Sequence, residues 1–347
     1  MKFSNCETGV SLVMHATLHE DLVQGARNAC RICLSVKEGE RVLVIADLGS
    51  LNIARAFAEV LGEIGAEAIP LVMESLVERP ASHAPAKVME LLPTCPVAIY
   101  MASPRPGELN SRSDVILYVE ANGTRYAHMV GVTEQIMRTG MRSDYREVDK
   151  LSDRAIEIFR WSTEIRVTSR GGTDLVARFD PRFKWVKTSG IIGPSLWHNL
   201  PGGQVFSVPV DIEGVLVGDG CLGEHFSRKY GDLSKCPVTV EMHKCHIVGV
   251  ECVDEPLKEE FLNYVHTDEN SDRVGEFGIG TNLGLSEYIG IMLQDEKVPG
   301  LHIAFGKPYA SQTGADWDAK THLDLVTKDC SIWADGEKVL SNMKWLI

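Results

Sequence analysis

Residues 41–50 have the sequence RVLVIADLGS, in which a β-strand pattern runs directly into a polar turn. A helical pattern follows over residues 52–64, and Gly65 is placed to end that helix, because glycine readily adopts the left-handed conformation found at helix ends. A strand, a turn and a helix in this order are typical of a parallel α/β sheet. The turn has neither a G-x-G-x-x-G nor a P-loop sequence, so it gives little support for a nucleotide site.

The same alternation continues through the first half of the chain. Further β-rich runs occur at residues 68–73, 97–100 and 115–119, with helical patterns between them. We therefore predict an α/β domain over residues 1–160, built on a parallel sheet flanked by helices. The charged helical segment at residues 141–160 is interpreted as the boundary region.

From residue 161 onward, apolar and polar residues alternate at period two. Runs of this kind, separated by glycine-rich turns, lie at residues 164–169, 174–179, 204–209, 214–218, 237–242 and 246–250. Such alternation is typical of antiparallel sheets with one buried face. It predicts a mainly antiparallel β (α+β) domain over residues 161–347.

Charge and composition exclude several classes of partner. The net charge is −13 and no run of Lys or Arg occurs, whereas nucleic acids and anionic membranes both require a basic surface. No segment approaches the roughly 18 apolar residues of a membrane span or has the core of a signal peptide. The nine cysteines are scattered, and the C-x-x-C of Cys30 and Cys33 lies in a helical pattern. We expect a cytoplasmic protein with no redox role for this pair.

Four potential metal ligands follow one another in the last quarter of the chain: Glu276, His302, His322 and Asp324. Alternation on a strand places His322 and Asp324 on the same face. Imidazole nitrogens and carboxylate oxygens are the ligands that first-row divalent ions prefer. A single His or Glu is more commonly a surface or core residue, so the prediction of a metal-binding domain depends on the four together.

Five ordered strings in the second half resemble the aminopeptidase T family of metallopeptidases. They are GTDL (172–175), NLPGGQVFSVP (199–209), GEFGIGTN (275–282), DEK (295–297) leading into HIAFG (302–306), and HLD (322–324). The resemblance implies a two-domain protein, usually a homodimer, that cleaves amino-terminal residues from short peptides at a dinuclear site.

The resemblance also implies roles for individual residues. Glu276, His302, His322 and Asp324 match metal ligands of the family, and Tyr309 matches its active-site tyrosine. Two ions roughly 3.5 to 4 Å apart activate a bridging hydroxide, and the tyrosine would donate a hydrogen bond to the oxyanion. A tyrosine that merely caps a strand is the structural alternative. The implied cofactor is one or two divalent ions of Zn, Mn or Co.

The chain departs from the family at Gln204, where the peptidases have a glutamate ligand. A glutamine can offer its carbonyl oxygen but is neutral, so only Glu276 and Asp324 remain as ligand carboxylates of this set, and a second ion should bind weakly. Alternatively, Gln204 packs the site and binds nothing. Glu224 and His225 lie in a glycine-rich segment from which they could reach the substrate.

Three functions therefore remain open. The first, and the function that we predict, is a metal-dependent, aminopeptidase-like hydrolase that cleaves an amide bond next to a free amino group, because Glu276 and His302 both favour the peptidases. The second is a mononuclear Fe(II) ring-cleaving dioxygenase for a hydroxylated aromatic, because two histidines and a carboxylate are the ligand set of non-haem iron oxygenases. The same superfamily resembles 2,5-dihydroxypyridine 5,6-dioxygenase, whose pattern has histidine at the position of Glu276 and lacks a counterpart of His302. The third is a non-catalytic binding protein with a degenerate site.

Overall fold

The computed structural model describes residues 20–347. Within it, the chain forms two compact units. The first extends to Met141 and includes the returning segment Ile192–Trp197, and the second comprises Arg142–Ile191 and His198–Ile347. The predicted class, an α/β unit followed by a mainly antiparallel β unit, is confirmed. In residues 20–347 no helix is both long enough and apolar enough to cross a bilayer.

The first unit is built on parallel strands. In chain order they are β1 (Arg41–Ala46), β2 (Glu67–Val72), β3 (Val97–Tyr100) and β4 (Arg125–His128). Their spatial order is β2-β1-β3-β4, and every neighbouring pair is parallel. The short strand at Trp197–Asn199 completes the edge of this sheet beside β4. The first three strands match the runs predicted from the sequence to within one residue at each end.

Helices connect these strands, as parallel pairing requires. The connecting helices are α2 (Leu51–Ile64), α3 (Met73–Leu76), α4 (Ala86–Leu91) and α5 (Leu109–Asn122), whereas α1 (Glu20–Arg27) precedes β1 and α6 (Glu134–Arg138) follows β4. The Asp47 side chain accepts a hydrogen bond from the Ser50 backbone and so fixes the turn that leads into α2. Gly65, in the left-handed conformation at φ 80°, ends α2 as predicted.

One predicted strand is wrong. Residues 115–119 (VILYV) were predicted as β-structure, but they lie inside helix α5. The helical spacing of four residues buries Val115 and Val119 together, while Leu117 between them is 66% exposed. Gly123 then ends the helix at φ 77°, and the fourth strand begins two residues later at Arg125. The apolar run was too short to distinguish a helix from a strand by its composition.

The second unit contains two antiparallel sheets. The strands of these sheets are β5 (Glu164–Ser169), β6 (Asp174–Arg178), β7 (Val186–Thr188), β9 (Gln204–Ser207), β10 (Asp211–Gly218), β11 (Val238–His243), β12 (His246–Glu251), β13 (Val274–Gly280), β14 (Leu301–Gly306), β15 (His322–Thr327), β16 (Cys330–Ala334), β17 (Glu337–Ser341) and β18 (Lys344–Trp345). The number β8 is kept for Trp197–Asn199, the edge strand of the parallel sheet. The eight-stranded sheet has the order β12-β11-β10-β6-β5-β16-β17-β18, and the five-stranded sheet has the order β15-β14-β13-β9-β7.

A shared apolar core joins the two sheets. Inward-facing residues of both sheets belong to one buried cluster, among them Val167 and Ile212 from the larger sheet and Phe277, Ile303 and Leu325 from the smaller one. Helices α7 (Tyr145–Phe159) and α9 (Glu255–Val265) contribute to the same core. The short helices α8 (Glu224–Tyr230), α10 (Met292–Asp295) and α11 (Ala310–Thr313) connect strands. The opposite face of the five-stranded sheet carries Glu276, His302, His322 and Asp324.

Candidate metal centre

The candidate metal centre lies on this outer face of the five-stranded sheet. Strand register places Glu276 on β13, Ala304 on β14 and Asp324 on β15 side by side in one row. Their neighbours along the strands, such as Phe277 and Leu323, point to the core instead, as the period-two geometry of strands requires. The methyl group of Ala304 takes little space, so the two carboxylates can approach a common point above it.

A glycine makes room for the imidazole in the next row. Gly278 on β13 pairs with His302 on β14. A Cβ atom at position 278 would lie only 2.0 Å from His302 Nε2. The imidazole therefore occupies the space that a side chain at position 278 would fill, where it is 1% exposed and its Nε2 is 3.1 Å from Glu276 Oε1. Any side chain at Gly278 would displace it.

The four predicted ligands converge. Ligand atoms of Glu276, His302 and Asp324 all lie within 4.8 Å of one another. His322 Nε2 completes the group at 3.7 Å from Glu276 Oε2 and 3.5 Å from Asp324 Oδ2. Imidazole nitrogens and carboxylate oxygens, the donor types of this cluster, suit a first-row divalent ion. Gly278 admits the His302 imidazole and Ala304 carries only a methyl group, so these residues allow the donor set to fit a bound ion.

Opposite charges inside the cluster shift its pKa values. Burial lowers the pKa of His322, but the Asp324 and Glu276 carboxylates outweigh burial and raise it to about 9. Burial would raise the pKa of Asp324, but His322, with His302 and Lys297 nearby, lowers it to about 2. In the metal-free protein, the raised pKa of His322 stabilises the fold fully below about pH 6.5, and this contribution is lost as the pH rises through about 9.

Two site residues were not identified from the sequence. Lys297 is fully buried, and its Nζ donates a hydrogen bond of 2.6 Å to Gln204 Oε1 and pairs with the Glu296 carboxylate. Gln204 Nε2 in turn lies 3.3 Å from Glu276 Oε1. Burial raises the pKa of Glu296, with Lys297 opposing and Asp324 adding to the shift. The DEK string at 295–297 was noted in the sequence, but no role was assigned to its lysine and glutamate.

Aromatic rings lie beside the ligands. The Tyr309 ring centroid is 4.9 Å from that of His322 and 6.0 Å from that of Phe206. Tyr309 has a left-handed backbone, with φ 48° and ψ 56°, at the start of α11. That conformation is uncommon for a residue with a Cβ atom and is frequent at functional sites. The Tyr309 ring thus lies beside His322, the most exposed of the four candidate ligands.

Glu224 and His225 differ from their predicted setting. The sequence placed them in a glycine-rich loop, but they form the first turn of helix α8. The preceding Gly223 donates its backbone N–H to the carbonyl oxygen of Asp324 at 2.8 Å. The backbone at the start of helix α8 is therefore hydrogen-bonded to strand β15.

The fold and the site together define a two-unit protein with a candidate centre for a divalent metal ion. Residues 21–346 match the family model NicX, 2,5-dihydroxypyridine 5,6-dioxygenase, and the chain belongs to that family of enzymes. No curated protein matches the sequence.

Two solved structures have a similar fold over nearly the whole chain. A 2,5-dihydroxypyridine dioxygenase from Pseudomonas putida KT2440 is 18% identical, with a TM-score of 0.67 and coverage of 94% of this chain and 96% of that one. Wild-type AmpT from Thermus thermophilus is 17% identical, also with a TM-score of 0.67, and coverage is 95% of this chain and 100% of that one. The resemblances to both families that were stated from the motifs are confirmed, and the two structures support the fold equally.

Proposed function

We propose that this protein is a mononuclear Fe(II) dioxygenase that opens the ring of a hydroxylated aromatic such as 2,5-dihydroxypyridine. The observation that supports this most is the orientation of Gln204. Its amide oxygen accepts from Lys297, so its Nε2 faces Glu276 and donates to the centre. The residue that provides a ligand carboxylate in the peptidases therefore supplies no oxygen here. What remains is a ligand set for one ion, in a chain of the dioxygenase family.

The residues of the chain have distinct tasks under this proposal. The imidazoles of His302 and His322 and the carboxylates of Glu276 and Asp324 would hold the ion, which would supply oxygen activation when bound. The most exposed ligand is His322, at 19%, so the substrate enters from its side. There the aromatic wall of Phe206 and Tyr309 would stack against a planar ring, and Tyr309 Oη would hold the proton of a substrate hydroxyl.

The proposed reaction is balanced without a further reductant. One carbon–carbon bond of the ring breaks, and both atoms of O₂ enter the product. The ring supplies the four electrons that reduce O₂. Consumption of one O₂ per ring opened is therefore the expected stoichiometry.

A metal-dependent hydrolase that cleaves an amide next to a free amino group is the second candidate. It is favoured by Glu276 and His302, which match the peptidase motifs and lie in the cluster. A single ion could polarise the scissile carbonyl, and Tyr309 would donate to the oxyanion. The homodimer and the cytoplasmic location expected from the sequence belong to either proposal.

Oxygen uptake separates the candidates. Protein reconstituted anaerobically with Fe(II) is mixed with 2,5-dihydroxypyridine and O₂ in one assay and with short peptides in another. The dioxygenase proposal expects O₂ consumption and loss of ring absorbance without peptide cleavage. Peptide cleavage without O₂ uptake would refute it in favour of the hydrolase, and neither activity, with no bound ion, would support a non-catalytic protein.

A matched pair of histidine variants connects the activity to the centre. His322→Ala should abolish metal binding and turnover. His243→Ala is the control, because His243 is exposed and pairs with Glu213 at 3.2 Å. Full activity in the His322 variant would overturn the assignment of the centre.

A further inference from the structure

A buried ammonium group lies directly beside the metal centre. Lys297 is 0% exposed, and its Nζ contacts Gln204 and Glu296. Its backbone is also fixed, because its N–H donates to Gln294 and its carbonyl oxygen accepts from Asn282, at 2.9 and 3.0 Å. Burial of a lysine ammonium group costs free energy unless the charge is paired and hydrogen-bonded.

The charges of the site balance with one divalent ion. With both imidazoles neutral, as metal ligands must be, three carboxylates remain: Glu276, Glu296 and Asp324. The ammonium of Lys297 opposes them, so the cluster carries two net negative charges, which one divalent cation neutralises. A second divalent cation would leave the buried cluster with two uncompensated positive charges.

We propose that Lys297, together with Gln204, occupies the place of a second cation and limits this centre to one metal ion. This inference rests on the proposed mononuclear site and assigns its cause to particular residues. Lys297 Nζ donates a hydrogen bond to the amide oxygen of Gln204, which is then not available to a metal ion. The positive charge of Lys297 also repels a second cation from the space beside Gln204. Lys297 is thus a determinant of the number of ions bound.

The same arithmetic defines the variant that should gain an ion. Gln204→Glu alone adds a carboxylate, but Lys297 would pair with it, as it now pairs with Gln204 and Glu296. Lys297→Met alone removes the ammonium but releases only the neutral amide oxygen of Gln204 and adds no carboxylate. Only the double variant, Gln204→Glu with Lys297→Met, supplies both a new ligand and two more net negative charges, which a second divalent ion would balance.

The test counts Mn²⁺ ions in the full chain. The four forms are loaded with Mn²⁺, desalted and measured by elemental mass spectrometry. The wild type and both single variants should bind about one ion per chain, and the double variant about two, roughly 3.5 to 4 Å apart. Electron paramagnetic resonance should then show an isolated Mn²⁺ signal in the first three forms and a spin-coupled pair in the double variant.

Two results would overturn the proposal: a wild type that binds two Mn²⁺ ions, or a folded double variant that binds one. Circular dichroism and thermal unfolding establish folding. If Lys297→Met unfolds the chain by leaving Glu296 unpaired, Gln204→Glu with Lys297→Gln takes its place, since glutamine keeps an N–H donor for Glu296. Lys187→Met removes a part-buried lysine elsewhere in the same unit and is the control.

The outcome is independent of the reaction catalysed. A wild type that binds one Mn²⁺ ion, with a double variant that binds two, supports the role of Lys297 even if no O₂ uptake is observed. Conversely, O₂ uptake by a wild type that holds two ions would refute the role of Lys297 and leave the dioxygenase proposal standing.

Discussion

Gly278→Ala should displace the candidate metal ligand His302 without changing that residue itself. The new Cβ would lie 2.0 Å from His302 Nε2 and 2.3 Å from its Cε1. Ordinary contact needs about 3.5 Å, so the imidazole must move by roughly 1.5 Å. Metal–ligand distances tolerate only about ±0.2 Å. Since disturbing even an outer-shell partner costs about 10- to 100-fold in metal affinity, we expect the dissociation constant to rise by roughly 100-fold or more.

Calorimetric titration with Mn²⁺ measures this effect, and thermal unfolding measures the fold. Overpacking should cost about 1–3 kcal/mol of stability, and removing the imidazole in Gly278→Ala/His302→Ala should restore part of it but not the affinity. Gly249→Ala is the matched control, because its Cβ would first meet the flexible end of Glu241 at 3.3 Å. Wild-type affinity in Gly278→Ala would refute the reasoning that His302 binds the ion.

Three further predictions concern protonation, the aromatic wall and a helix cap. His322 has a raised pKa of about 9 and must be neutral to bind a metal ion. The Mn²⁺ dissociation constant should therefore rise about tenfold for each unit by which the pH falls from about 8.5 to 6.5. A dissociation constant that stays the same over this range in calorimetric titrations would contradict this. Tyr309→Phe should lower turnover by roughly 100-fold at unchanged metal content, and unchanged turnover would exclude its hydroxyl from the reaction. Asp254→Ala removes the hydrogen bond to Leu257 N that caps α9 and should cost about 1 kcal/mol in urea unfolding, with metal binding retained.

Local patterns in the sequence predicted most of the fold. The strands Arg41–Ala46 and Glu164–Ser169 have the predicted bounds, because each lies in a period-two or continuous apolar run that ends at a polar turn. The failure at residues 115–119 has the same origin. Five apolar residues satisfy a strand and one turn of a helix equally well, and the choice was made by packing of Val115 and Val119 against the sheet.

The clustering of the candidate ligands was predictable from the sequence, and their surroundings were not. Alternation alone places His322 and Asp324 on one face of β15. The contact between Gln204 and Lys297 depends instead on the register of β9 against β13, which brings Gln204 opposite Gly280, and on the backbone hydrogen bond from Asn282 to Lys297. That register is set by long-range packing of two sheets, and no spacing along the chain contains it.

Metal analysis of wild-type protein purified anaerobically, without chelator or affinity-column metal, tests the central claim most directly. Elemental mass spectrometry gives the identity and number of ions per chain. The account predicts about one equivalent of iron, held by Glu276, His302, His322 and Asp324. About two equivalents of zinc, manganese or cobalt would contradict it and would favour a dinuclear peptidase centre despite Gln204.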